Sequence, residues 1–134
     1  MYIIYSTSTG EILYLLVGNE ETLAANVQSG ESSLEHTDFI EMEKFYILDG
    51  ELTAKPTQTT SLDKTTLLAD GVDTITITNA PANCHLLLRN KTTGETVEGT
   101  FSNTEEIFST SAGTLELTFS CFPYLDLTTT VEAI

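Results

Sequence analysis

The chain has 134 residues, 20 Asp and Glu against 5 Lys and Arg, and a formal net charge of −15. Its 40% apolar content is too high for a disordered chain, and its length fits one ordinary domain or two small ones. With so few cations, neither nucleic-acid backbones nor an anionic membrane surface is expected as the main partner.

Residues 2–6 and 11–17 read as two strands joined by Thr7-Ser8-Thr9-Gly10, where the glycine is free to take positive φ. Strict alternation in the second strand puts Ile12, Tyr14 and Leu16 on one face and Leu13, Leu15 and Val17 on the other. Both faces are apolar, the pattern of a strand buried on both sides. Asn19 before Glu20-Glu21 predicts a capped helical turn over 20–25, followed by a polar loop over 28–38. Asp49-Gly50, between 45–48 and 51–54, is the strongest hairpin signal in the chain. A unit of this size buries only about 60% of its unfolded surface. Residues 1–55 are therefore expected to form a small β docking module, with Tyr2, Ile4, Ile12, Tyr14 and Leu16 at an interface with another chain.

The polar, aperiodic residues 56–60 read as a connector. Beyond it, seven strands are expected near 64–69, 72–78, 83–89, 95–100, 105–109, 114–122 and 127–133, the spacing of a β-sandwich over 61–134. Leu115, Leu117 and Phe119 alternate with Glu116, Thr118 and Ser120, as an antiparallel sheet with one wet face requires. The fold class is all-β.

No secretory signal is visible, and the longest apolar run, residues 12–17, is far short of the about 20 residues needed to span a membrane. Folding in a cytosol makes reduced thiols the expected state of Cys84 and Cys121. Alternation makes both small core residues, on strands able to be neighbours. His36 and His85 lie in different modules without metal-binding spacing. Cys84 and His85 are adjacent on a strand and point to opposite faces, which rules out a nucleophile–base pair. Asp70-Gly71-Val72-Asp73 reads as a turn, not a calcium loop, and Asn90-Lys91-Thr92 as a hairpin turn, not a glycosylation site. Phe122 and Tyr124 are the only candidates for a sugar-stacking platform, against a role as plugs at the end of the sandwich. No catalytic set, metal or cofactor is expected.

Met1-Tyr2-Ile3-Ile4-Tyr5, Thr9-Gly10-Glu11-Ile12 and Tyr46-Ile47-Leu48-Asp49-Gly50-Glu51-Leu52 together resemble a small module at the start of tailed-bacteriophage structural proteins. The second half, with Leu68-Ala69-Asp70-Gly71-Val72-Asp73-Thr74-Ile75 and the ending Phe122-Pro123-Tyr124-Leu125 to Val131-Glu132-Ala133, is similar to a bacterial-type immunoglobulin-like domain of phage virions. The chain has no Trp, so antibody-like recognition is not implied. The resemblance implies a non-enzymatic virion protein made in the host cytoplasm, most simply a tail accessory or fibre-associated subunit. Its partners would be other virion proteins or further copies of itself, with host-surface contact by the sandwich and no membrane insertion. A capsid decoration protein and a carbohydrate- or cell-surface-binding module are the alternatives. The charge is shared: ten acidic against two basic residues in 1–55, and ten against three in 56–134. The acidity therefore reads as a solubility device, not a local recruiting patch.

Overall fold

Thr, Ile, Val, Tyr and Phe favour pleated backbone. The computed structural model, which describes residues 1–134, is accordingly all-β, with eleven strands and one α-helix. The chain divides into two compact units, Met1–Pro56 and Thr57–Ile134.

In the first unit β1 (Tyr2–Ser6) is the middle strand of a three-stranded sheet, between β2 (Ile12–Leu16) and β3 (Glu31–Glu35). The helix α1 (Glu20–Asn26) begins as the sequence predicts, with the Asn19 side chain accepting the Thr22 N–H at 3.0 Å. β4 (Phe45–Leu48) and β5 (Glu51–Ala54) form the expected hairpin, with positive φ at both Asp49 (51°) and Gly50 (79°) as a type I′ turn demands. Gly10 joins this hairpin to the β1–β2 turn. Its carbonyl accepts the Ile47 N–H at 2.8 Å, and at φ 81° any Cβ there would lie 1.9 Å from the Ile47 carbonyl oxygen.

Two expectations for this unit are corrected. The 28–38 loop contains β3, whose polar sequence Glu-Ser-Ser-Leu-Glu gives no strand signal of its own; its pairing with β1 supplies the stabilisation. β1 thereby becomes the strand buried on both faces, with Ile3 and Ile4 fully buried, while β2 is an edge strand with Leu13 and Val17 exposed.

The second unit is organised by a long hairpin, β8 (Ile75–Asn90) with β9 (Thr96–Ile107). Its register slips between Ile77 and Ala80 and again between Ala80 and Cys84, and Asn79, Asn83 and Asn103 all take positive φ. The hairpin bends there, so that Ile75 and Ile77 from one arm of β8 and Cys84 and Leu86 from the other enter a single apolar cluster. Two layers result. The first arm of β8 lies between β6 (Ser61–Leu62) and the last residues of β9. The second arm lies between the first residues of β9 and β10 (Gly113–Ser120), which is followed by β11 (Leu127–Ala133) and β7 (Thr66–Leu67). β10 supplies the centre of the core: Leu115, Leu117 and Phe119 are buried, and Phe119 meets Phe101 edge-to-face at 6.3 Å.

The expected strands 72–78 and 83–89 are therefore one bent strand, as are 95–100 and 105–109, because bulges and left-handed asparagines carry the chain past Asn79-Ala80-Pro81 without ending it. The expected first strand, 64–69, shrinks to β7 at 66–67, and a second short strand, β6, lies ahead of it at 61–62. β6 pairs antiparallel with β8 and β7 pairs parallel with β11. Residues 58–60 are not a free connector. Gln58 Nε2 donates to the Phe119 and Leu125 carbonyls, each at 2.8 Å, while Thr60 is buried and donates to Gln58 Oε1.

The expectation of reduced thiols is also corrected. The antiparallel register that pairs His85 with Ser120 places Cys84 opposite Cys121 one step further on. Their Cα atoms are 4.6 Å apart and the sulfurs are bonded. Strand geometry decides this, and the compartment argument did not contain it.

Two stability measurements check these features. Replacing both cysteines by Ala should lower unfolding free energy by about 2–4 kcal/mol in urea, as reductant should for the native chain. Equal midpoints with and without reductant would show the thiols to be free. Gln58→Ala, which strips the side-chain partner from two backbone carbonyls, should cost about 1–3 kcal/mol, whereas a disordered connector would tolerate it.

Candidate functional site

The residues expected at the interface do not form one row. Cross-strand pairing aligns Tyr2 with Leu16 and Ile4 with Tyr14, but then shifts so that Tyr5 pairs with Ile12. The extra residue, Leu13, is a bulge, and a bulge breaks strict alternation. Ile12 thus leaves the row of Tyr2, Ile4, Tyr14 and Leu16. Ile4 is wholly buried within the chain and offers no surface; Tyr2, Ile12, Tyr14 and Leu16 are half-buried. Tyr14 is held in place, its hydroxyl donating to the Asn26 carbonyl at 3.2 Å and to Glu31 Oε1 at 3.0 Å. Partial burial, and then the Glu31 carboxylate, raise that hydroxyl above its ordinary 10.0.

The accessible apolar surface of the first unit lies elsewhere. Leu13 (42% exposed) and Val17 (68%) stand at the β2 edge. β2 packs beside the 3-10 turn Met42–Lys44, where Met42 and the preceding Phe39 (78%) are also exposed. Leu13 and Val17 belong to the face opposite the one expected from alternation. Phe39 gave no periodic signal at all, sitting in a short segment without a pattern.

The groups with chemical potential are occupied structurally. Cys84 is in the disulfide, and His85 Nε2 faces Glu98 at 3.3 Å. Asp70 Oδ1 accepts the Val72 and Asp73 N–H groups at 2.9 and 2.8 Å, closing the turn at Gly71. Asp73 accepts from Lys64 Nζ at 2.6 Å and from the Leu68 N–H at 2.8 Å. Nowhere do three His, Cys, Asp or Glu side chains come together as a metal site. Asn90 is buried, and its Oδ1 accepts the Thr92 and Thr93 N–H groups at 2.9 and 3.1 Å, organising the turn between β8 and β9. Tyr124 packs against the core cluster while Phe122 is exposed. No helix is long and apolar enough to cross a membrane.

Compared with known proteins, the chain matches no protein family, no curated protein and no solved structure.

The Asp70–Asp73 turn sets an acid limit on the second unit. The Lys64 ammonium, then the Leu68 amide, hold the Asp73 carboxyl below its ordinary 3.8, and the Asp73 and Val72 amides do the same for Asp70. A carboxyl depressed on folding contributes stability at pH above its unfolded value and loses it as pH falls through the folded one. Unfolding free energy should therefore decline as pH drops below about 4. Asp73→Asn should flatten that decline and lower stability at neutral pH. An unchanged acid slope in the variant would contradict the assignment.

Proposed function

We propose that the chain is a non-enzymatic structural component of a bacteriophage virion, a tail accessory or fibre-associated subunit that docks through its first unit. The observation that carries this reading is the exposed apolar side chains at and just after the edge strand β2, Leu13 and Val17, with Met42 on the 3-10 turn that packs beside it and Phe39 ahead of that turn. An edge strand that carries exposed apolar side chains is what a protein that works by assembly presents. The rest of the unit is fixed around it. Gly10 locks the β4–β5 hairpin, and Tyr14 ties β2 to the end of α1 and to β3.

The second unit serves in this reading as an immunoglobulin-like sandwich. What supports that description is the strand order β6–β8–β10–β11–β7, with β9 also paired to β8 and the short β6 and β7 at opposite ends. The Thr-rich outer faces of β10 and β11, where Thr118 lies opposite Thr128, keep it soluble. With each unit carrying a similar acidic excess, copies packed about an axis repel, and apolar docking has to overcome that repulsion.

Mass spectrometry of purified particles, with stoichiometry against the major capsid protein, tests the placement. Tens of copies per particle fit a tail part and hundreds a shell decoration, while absence from the particle would overturn both. Binding to assembly partners should strengthen when salt is raised from about 0.05 to about 0.5 M, and the Leu13→Asp/Val17→Asp double variant should abolish it without unfolding the chain. Association that weakens with salt would point to charge steering instead.

A further inference from the structure

The bend in the β8–β9 hairpin leaves a groove between the two arms of β9. It has two parts, of about 340 and 210 Å³, that share Leu88, Val97, Glu106 and Ile107. Leu86 and Ile107 are buried in its floor, whereas Val97 (68% exposed) and Phe108 (60%) are uncovered at its sides. Glu95, Glu98, Glu105 and Glu106 also line it, and no Lys or Arg does. β9 has β8 as its only strand neighbour, so the backbone groups on its far side have no strand partner, although the Glu106 N–H is taken by the Glu105 carboxylate at 3.0 Å.

We propose that this groove accepts an extended segment of a partner protein, with apolar and basic residues alternating, which adds to β9 as a further strand. A strand sends successive side chains to opposite sides. One set would therefore enter the groove against Val97, Phe108 and Leu88 while the other meets the glutamates at its rim. Main-chain bonds to the open edge supply affinity, and the acidic rim selects the sign of the partner. A second copy of this chain is the wrong occupant. It would set the glutamates of one β9 against those of another, with a net charge of −15 on each molecule. The contact is separate from docking through the first unit and stands whether or not the chain belongs to a virion.

The test is titration of the full-length chain with a synthetic peptide of about six residues alternating Lys and Val, followed by calorimetry and by amide hydrogen exchange. Two further peptides act as controls: one alternating Glu and Val, and the Lys–Val peptide N-methylated on the amides of one edge. The Lys–Val peptide should bind, slow exchange within 96–107, and bind less tightly as salt rises. Glu95→Lys/Glu106→Lys should weaken it by about tenfold and make the Glu–Val peptide the better ligand. Val97→Asp should weaken both peptides. Equal binding by the N-methylated peptide would overturn the proposal, since attraction to bulk charge needs no strand. So would the absence of binding at about millimolar peptide, protection confined to other strands, or dimers of the chain that protect 96–107.

Discussion

A single bend governs the second unit. Between Ile77 and Cys84 the β8–β9 hairpin slips its register twice, and Asn79, Asn83 and Asn103 adopt the left-handed backbone that this requires. Asparagine is one of the few residues with a side chain that tolerates this region. Because the strand bends instead of ending, both arms of β8 send their inward side chains to one core. The other features follow from that geometry. Cys84 leaves the bend opposite Cys121, β10 is framed by β8 and β11, and β9 remains at an edge with only β8 beside it.

The first unit meets its own constraint with a different device. A short sheet cannot bury apolar residues on every strand, and here it protects the central one: Ile3 and Ile4, on opposite faces of β1, are both inaccessible. The cost falls on β2, which keeps apolar side chains at an open edge. In both units a central strand is buried, and an edge strand, β2 or β9, carries exposed apolar side chains. Uncovered edges invite pairing, and strong acidity is one means by which a chain restricts which partners take them.

What was legible in the sequence was what is decided locally. Asn19 with Glu20-Glu21 fixed the start of α1, Asp49-Gly50 specified a type I′ hairpin, and the alternation over Leu115, Leu117 and Phe119 marked the central core strand. Features decided by distant partners were not legible. β3 exists because β1 offers it hydrogen bonds, and nothing in Glu-Ser-Ser-Leu-Glu announces that. Asn79-Ala80-Pro81 has the composition of a turn and served as a bulge. Gln58 looked like part of a linker because its two carbonyl partners lie 61 and 67 positions away. For the candidate site, the apolar run of β2 was readable. The side chains that reach the surface were not, since the Leu13 bulge resets the alternation and Ile4 is buried.

The central proposal is that the edge strands β2 and β9 are the working surfaces of this molecule. Hydrogen exchange of the full chain, free in solution and assembled on the particle to which we propose it belongs, addresses it directly. The account predicts that amides of β2 and the segment following it, residues 12–18, exchange more slowly in the assembly, while those of β10, already buried in the core, do not change. Unaltered exchange across 12–18 in the assembled state would contradict it.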